Sequence, residues 1–460
     1  MATGFPTKAN WVSGDILTAA AQDDLAGTVN LLSNAAATSG SVLVSNVAGT
    51  SFAYQPLQAA GKNAIINGGM DIWQRGTTAT TGTITAATSG ATTAYVVTNT
   101  FVVGQYVTVT GMTPTTLNGA GVVTVASGTG FTISATTSGV FSAGGTATGS
   151  PYIALAASSS NIYTSDRWTT TTVTNQAVTV SRQPTSDTTN LPNIQYCLRY
   201  QRNSGQTGTG QLYIAQSLET ANSIPFAGKQ VTFSFYARAG ANYSAASNAL
   251  VVNIWSGTGT DQNRLVVAYT GDTTIVSSPV TLTTTWQRFT VTGTVSSSAT
   301  ELATAFSYIP VGTAGANDYY EVTGVQLEMG SVATNFSRAG ENIQWELAAC
   351  QRYCYQVAGT GSSFSIIGTG FTASTTSGIT YSFLPVTMRT QPTISYNNIR
   401  FVTSASTVTN FSTTGVTVTT GSTPTTINLA ASLTAATANL PAFLDVTNAT
   451  TSYFQFSAEL

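Results

Sequence analysis

Asn67-Gly68-Gly69-Met70-Asp71-Ile72-Trp73-Gln74-Arg75-Gly76 sets one acid and one base around a tryptophan, in a chain that is sparing with charge. Asp, Glu, Lys and Arg make up 7% of the 460 residues, against about 25% in an ordinary globular domain. Scarce charges placed beside a large aromatic ring fix a local geometry. Opposite charges answered on neighbouring strands, with tryptophans beneath them, are how a β-sandwich pins its first strand. The segment therefore reads as a first strand, interrupted immediately by a change in composition.

Residues 77–150 contain no Asp, Glu, Lys, Arg or Cys. β-Formers cluster between glycines at Ala94–Thr98, Gln105–Thr110, Gly121–Val125 and Gly130–Ser134, which predicts a small module of short strands. Its surface relies on hydroxyls, and its open edges invite pairing unless an oligomer shelters them. From about 151 to 340 charge and aromatic residues return, with longer strands at Ala177–Arg182, Gln230–Arg238, Leu250–Trp255 and Trp286–Thr292. Val231, Phe233 and Phe235 alternate, giving one face to a core. Many strands without intervening helices predict an antiparallel sandwich. Residues 341–350 hold one helical turn with Ile343 and Leu347 on one face. The rest, to Leu460, is Thr- and Ser-rich, with strands at Val416–Thr419, Thr426–Leu429 and Tyr453–Phe456. At the other end, Thr18 caps an expected helix over Ala19–Leu32, with Leu25, Val29 and Leu32 in one stripe. That stripe either docks on a partner or lies on its own chain. The organisation is thus 1–60, an assembly region; 64–76 with 151–350, a sandwich; 77–150, an inserted module; and 351–460, a C-terminal β domain.

Composition excludes several classes of function. The formal net charge is -2, from 15 basic and 17 acidic residues, with no basic stripe for nucleic acid or for a membrane surface. Histidine is absent, which removes Ser-His and Cys-His nucleophile pairs and the commonest zinc ligand. A glycosidase needs only two carboxylates, but no acid pair stands in a readable motif, so no catalytic residue, metal or cofactor is expected. Cys197, Cys350 and Cys354 make an odd count without a disulfide framework, which suits buried thiols and folding in a reducing cytoplasm. The N-terminus lacks a signal-peptide pattern, and no stretch approaches the roughly 20 apolar residues of a membrane span.

Several separated blocks resemble one family, the tail fibres and related virion proteins of bacteriophages, especially cyanophages. They are Asn67–Gly76, Tyr163-Thr-Ser-Asp166-Arg167-Trp168, Gln195–Tyr200, Ile214–Glu219, Pro225–Arg238, Val325–Gly330, Ala333–Phe336 and Cys350–Tyr353. Order and spacing agree from about 64 to 355. Met388–Thr393 and the terminal Phe456–Leu460 resemble the family's usual C-terminal domain. The resemblance implies an all-β fold built on an antiparallel jelly roll similar to carbohydrate-binding modules. One departure stands out: in simpler relatives the first block runs almost directly into the Asp-Arg-Trp block, whereas here 77–150 intervene.

The same resemblance implies a non-enzymatic structural protein of a tailed phage, a tail fibre or tail-tip protein that binds host surface glycan. It would be a homotrimer attached to other tail or capsid proteins through its N-terminal region, located in the virion and made in the host cytoplasm. A capsid decoration without receptor binding and a polysaccharide depolymerase are the alternative readings. Asp71, Trp73, Arg75, Asp166, Arg167 and Trp168 read as a structural motif, with a sugar platform as the alternative. Trp255, Tyr243 and Trp286, near loops, are the candidate ligand aromatics. Asp261, in the loop Gly257–Asn263, is the candidate polar ligand, although the loop lacks the acid spacing of a calcium site and also reads as a plain turn.

Overall fold

The computed structural model describes residues 41–45, 52–56, 62–76, 80–172, 177–359, 363–404, 407–409 and 411–460. The chain divides into two compact units, Met1–Ala60 and Gly61–Leu460. In the first, strands Ser41–Ser45 and Phe52–Pro56 pair antiparallel. The helix expected over Ala19–Leu32, with its Thr18 cap, lies outside the described residues.

The second unit is built around two six-stranded antiparallel sheets. One sheet runs in the order Ile162–Tyr163, Thr169–Thr172, Leu212–Ser217, Glu301–Tyr308, Ala249–Gly257, Thr273–Thr281. The other runs Gln287–Thr294, Gln230–Ala239, Tyr319–Met329, Tyr196–Arg202, Val178–Pro184, Tyr152–Leu155. This is the expected jelly-roll sandwich. Between the sheets lies one apolar cluster that includes Val231, Phe233, Phe235, Val252, Ile254 and Phe306. Phe235 and Phe306 meet edge to face, ring centroids 4.8 Å apart, the arrangement that aromatic quadrupoles favour.

Alternation alone predicts one buried and one exposed face per strand. Here both faces of the central strands are covered, while the strands Thr273–Thr281 and Gln287–Thr294 keep exposed residues. All eight residues of Glu301–Tyr308 are buried. Outside the first sheet, Ala215, Ala303 and Ala305 pack with Trp255 and Tyr269. Outside the second, Cys197 packs with Leu191, Ile194 and Trp286. Loops thus add an apolar layer on each side, which is why Thr232 and Ser234, the polar partners of the alternation, are also buried.

Six short strands between Ala86 and Gly149 form a separate sheet with its own apolar cluster, which includes Tyr95, Val107, Val109, Leu117, Phe131 and Ile133. The chain leaves and rejoins the sandwich at one place: a Cβ on Gly76 would lie 2.9 Å from the Tyr152 carbonyl oxygen. The module touches the sandwich through neutral hydrogen bonds, with Gln183 Nε2 and Ser181 Oγ donating to the Gly104 carbonyl at 2.7 and 3.2 Å. Gly104 has φ +91°, and a Cβ there would meet Gln201 Oε1 at 2.4 Å, so the contact requires glycine.

The C-terminal region adds a three-stranded sheet (Cys354–Ala358, Tyr453–Ser457, Thr393–Asn397) and a seven-stranded one. The expected helix spans Ile343–Gln351, capped by Asn342, whose side chain accepts from Gln344 N and Trp345 N. Its buried face differs from the expected one. Ile343 is exposed, while Glu346 is buried and its carboxylate accepts from Asn67 N at 2.5 Å and Gly340 N at 2.6 Å. Among the described residues no helix is long and apolar enough to cross a membrane.

Asn67–Gly76 is not a strand. Asn67 and Met70 both have φ 58°, a left-handed conformation incompatible with extended pairing. The segment instead folds into a buried turn beside the strand Tyr319–Met329, with Val325 N donating to Gly68 O at 2.9 Å. The approach is close: a Cβ on Gly68 would fall 2.0 Å from the Val325 carbonyl oxygen. The Asn67 side chain closes the turn by donating to Ile72 O and accepting from Ile72 N, at 2.8 and 2.9 Å.

Candidate functional site

This turn is the hub of a buried ionic network that reaches the last residues of the chain. Arg75 Nη1 lies 3.4 Å from Asp166 Oδ1, and its Nη2 lies 2.8 Å from Glu459 Oε1. Arg167 pairs with the other Glu459 oxygen and donates to Ser217 O at 2.7 Å. All four side chains are buried, and two arginine charges are matched there by two carboxylates. Burial pushes the Asp166 carboxyl up to about 6, against the opposing pull of Arg75 and of the hydrogen bond from Gln74 N. Arg167 also stacks over the Tyr353 ring at 3.6 Å, within cation–π range. Trp168 is wholly buried, and its Nε1 donates to Asn67 O at 3.3 Å. Asp71 pairs with Arg338 at 2.8 Å, and Trp73 Nε1 donates to Met70 O at 3.0 Å. The six motif residues therefore do converge, and they knit the sandwich to the C-terminal sheets.

Above this network opens a cleft of about 540 Å³. One wall is Trp73, Gln74, Arg75 and the segment Asn161–Tyr163; the other is the face of the three-stranded sheet that carries Gln356, Tyr453, Gln455 and Ser457. The terminal strand makes this wall by period-two alternation. Phe454 and Phe456 point into the C-terminal core, where they stack on Tyr396 and Tyr355. Tyr453, Gln455 and Ser457 consequently face the cleft. Gln356 and Gln455 are directly opposite across the strand pair. Tyr163 closes the floor: its hydroxyl donates to Leu460 O at 3.1 Å and accepts from Asn263 Nδ2 at 2.9 Å. The described lining residues include no Asp, Glu or Lys.

The four residues expected to contact ligand lie elsewhere and do not come together in the cleft. Trp255 is 6% exposed, with the Arg264 guanidinium 4.8 Å over its ring. Trp286 is equally buried beneath Arg238, which is held by Glu321. Tyr243 packs on Tyr308, ring centroids 5.0 Å apart, and donates to Ala249 O. Asp261 accepts from Thr220 N at 2.9 Å and pairs with Arg389 at 3.2 Å, tying its loop to the C-terminal region. Their ring faces and carboxylate are occupied by the protein itself. Gln356, Tyr453 and Gln455 were not singled out from sequence. The signal available was the alternation Tyr453-Phe-Gln-Phe456, which sets Gln455 opposite the phenylalanines. The three cysteines are buried and free, and burial pushes the Cys350 and Cys354 thiols up, leaving them protonated and inert.

No protein-family model matches the chain, and no curated protein matches it. Among solved structures, the chain is similar to one described as "CBM4 structure and function", at 21% identity over 29% of this chain and 71% of the other, with TM-score 0.21. It is also similar to the CBM22-1 xylan-binding domain of Paenibacillus barcinonensis Xyn10C, at 13% identity over 39% and 95%, with TM-score 0.24. A third similarity is to the enzymatically active domain of bacteriophage CBA120 tailspike protein 4, at 12% identity over 36% and 19%, with TM-score 0.24.

Proposed function

We propose that this chain is a structural protein of a tailed-phage virion, a tail fibre or tail-tip component, that holds host surface glycan in the cleft between its jelly roll and C-terminal sheets without cleaving it. The cleft carries this reading. It is concave, of a size suited to one or a few sugar rings, and joins aromatic side chains (Trp73, Tyr163, Tyr453) to neutral amides and hydroxyls. Aromatic faces suit pyranose rings, and amides supply both donor and acceptor to sugar hydroxyls. Hydrolysis would call for two carboxylates facing the ligand; Asp166 and Glu459 instead lie behind Arg75, bonded to arginine. The sequence resemblance to phage tail proteins supplies the virion setting.

Self-assembly, as a homotrimer, belongs to the same reading. On the outer face of the seven-stranded sheet, Phe371 lies opposite Ile379, followed on that face by Tyr381 and Phe383, with Phe383 77% exposed. An apolar aromatic patch of this kind suits a copy of itself. Light scattering of the full chain tests it, and a monomer at micromolar concentration would remove the trimer. Glycan binding is tested by pull-down of the full chain on host cells. Trp73→Ala and Tyr453→Ala should each lower retention, and equal retention by both variants would displace the cleft as the site.

A further inference from the structure

We infer that the cleft selects uncharged polysaccharide over acidic polysaccharide; this rests on reading the cleft as the glycan site. Arg75 is the only charged side chain on its described walls. Its two terminal nitrogens are already directed at Asp166 and Glu459, and the local charge is closed by Arg167 on the second Glu459 oxygen. An approaching carboxylate or sulfate would find no uncommitted cation, and would face two fixed carboxylates behind the one guanidinium present. Stripping water from an anion without a partner is strongly unfavourable.

The neutral groups offer the opposite. Gln356 and Gln455 stand side by side across one strand pair, half-buried, and neither side-chain amide is hydrogen-bonded within the described chain. The Tyr453 hydroxyl, two residues from Gln455 on the same face, is likewise unpaired among the described residues. Two amides and a phenol present donors and acceptors together, a set that vicinal sugar hydroxyls satisfy in full, whereas an anion, which only accepts, leaves the amide oxygens unpaired.

Affinity electrophoresis of the full chain tests this, in gels containing dextran, mannan or galactan and in gels containing polygalacturonate or alginate. At least one neutral polymer should retard the protein, with a dissociation constant that changes less than about twofold when NaCl rises from roughly 0.05 to 0.5 M, since little charge is there to be screened. The double variant Gln356→Ala/Gln455→Ala should weaken that retardation about tenfold, the loss of two modest hydrogen-bonding groups, with its thermal midpoint unchanged. Tyr453→Phe, which removes only the hydroxyl, should weaken it about threefold. Retardation by the acidic polymers alone, weakening with salt, would overturn the selectivity while leaving a glycan site in place. Neutral binding indifferent to both variants would place the site elsewhere. Retardation by none of the polymers would count against this inference and against the glycan reading beneath it.

Discussion

Glu459→Gln isolates the ionic lock between the chain's last residues and the jelly roll. Glu459 accepts from both Arg75 and Arg167, whose side chains are only 8% and 2% exposed. Removing its charge leaves two buried guanidiniums against one carboxylate, Asp166, which bonds Arg75 and leaves Arg167 without an anionic partner. The backbone should stay in place, because Arg389 donates to the carbonyls of Ala458 and Glu459 at 2.8 Å each, independently of the Glu459 side chain. Breaking a buried pair by deleting one partner costs about 3–5 kcal/mol, because the remaining charge is left uncompensated. At about 2–4 °C per kcal/mol for a large domain, the thermal midpoint should fall by roughly 6–20 °C. Urea unfolding at pH 7, followed by tryptophan fluorescence, measures the loss directly, since Trp168 and Trp73 both lie at the lock. The paired variant Arg75→Met/Glu459→Met removes one charge of each sign, keeping the network neutral, and should cost clearly less than the sum of its single variants. A loss under about 1 kcal/mol for Glu459→Gln, or strict additivity in the double variant, would refute the lock.

Stability should rise on mild acidification. Burial holds the Asp166 carboxyl at about 6 in the folded chain against an ordinary aspartate's 3.8, so its contribution is full below 3.8 and is lost as pH climbs through 6. Over that whole window the difference is roughly 3 kcal/mol, about half of it between pH 7 and pH 5, and buried Glu346 is shifted in the same direction. The urea midpoint should be higher at pH 5 than at pH 7, with Asp166→Asn flattening the difference; a midpoint that falls on acidification contradicts the assignment. Excision of residues 77–150 with a short Gly-Ser join should leave the sandwich folded, because Gly76 and Tyr152 already touch. Loss of the cooperative transition in the excised protein would show that the module is integral. Gly68→Ala should destabilise at or above the usual overpacking range of about 1–3 kcal/mol, because the new methyl would meet the Val325 carbonyl at 2.0 Å in a backbone that cannot retreat. A near-native midpoint for that variant would mean the turn is looser than its contacts imply.

Much of the fold was legible because it rests on local periodicity. Val231, Phe233 and Phe235 alternate in sequence and line the core in space. The charge-free stretch 77–150 has its own sheet and cluster, since a composition change marks a change of core. The helix at 343–351 lies where it was expected, although the face it buries does not, because Glu346 caps backbone donors that no helical pattern reveals. Position in the sequence places Trp255, Trp286 and Tyr243 near loops. Trp255 and Trp286 are buried because loops fold back over the outer faces of both sheets, a layer with no periodic signature in the strands themselves, whereas Tyr243 joins the core between the sheets.

The candidate site belongs almost wholly to tertiary structure. Sequence alone determined that the chain is an antiparallel β protein with a scarce set of charges gathered at 71–75 and 166–167, because strand periodicity and composition act over a few residues. It could not determine that Asn67 and Met70 turn the first block away from strand geometry. Nor could it determine that Arg75 finds its partner 384 residues downstream, or that Gln356 and Gln455 stand opposite each other. Those pairings depend on which surfaces meet once the sandwich and the C-terminal sheets have packed. A charge or an amide acquires its partner from the approach of two elements, and nothing in either element's own pattern specifies that approach.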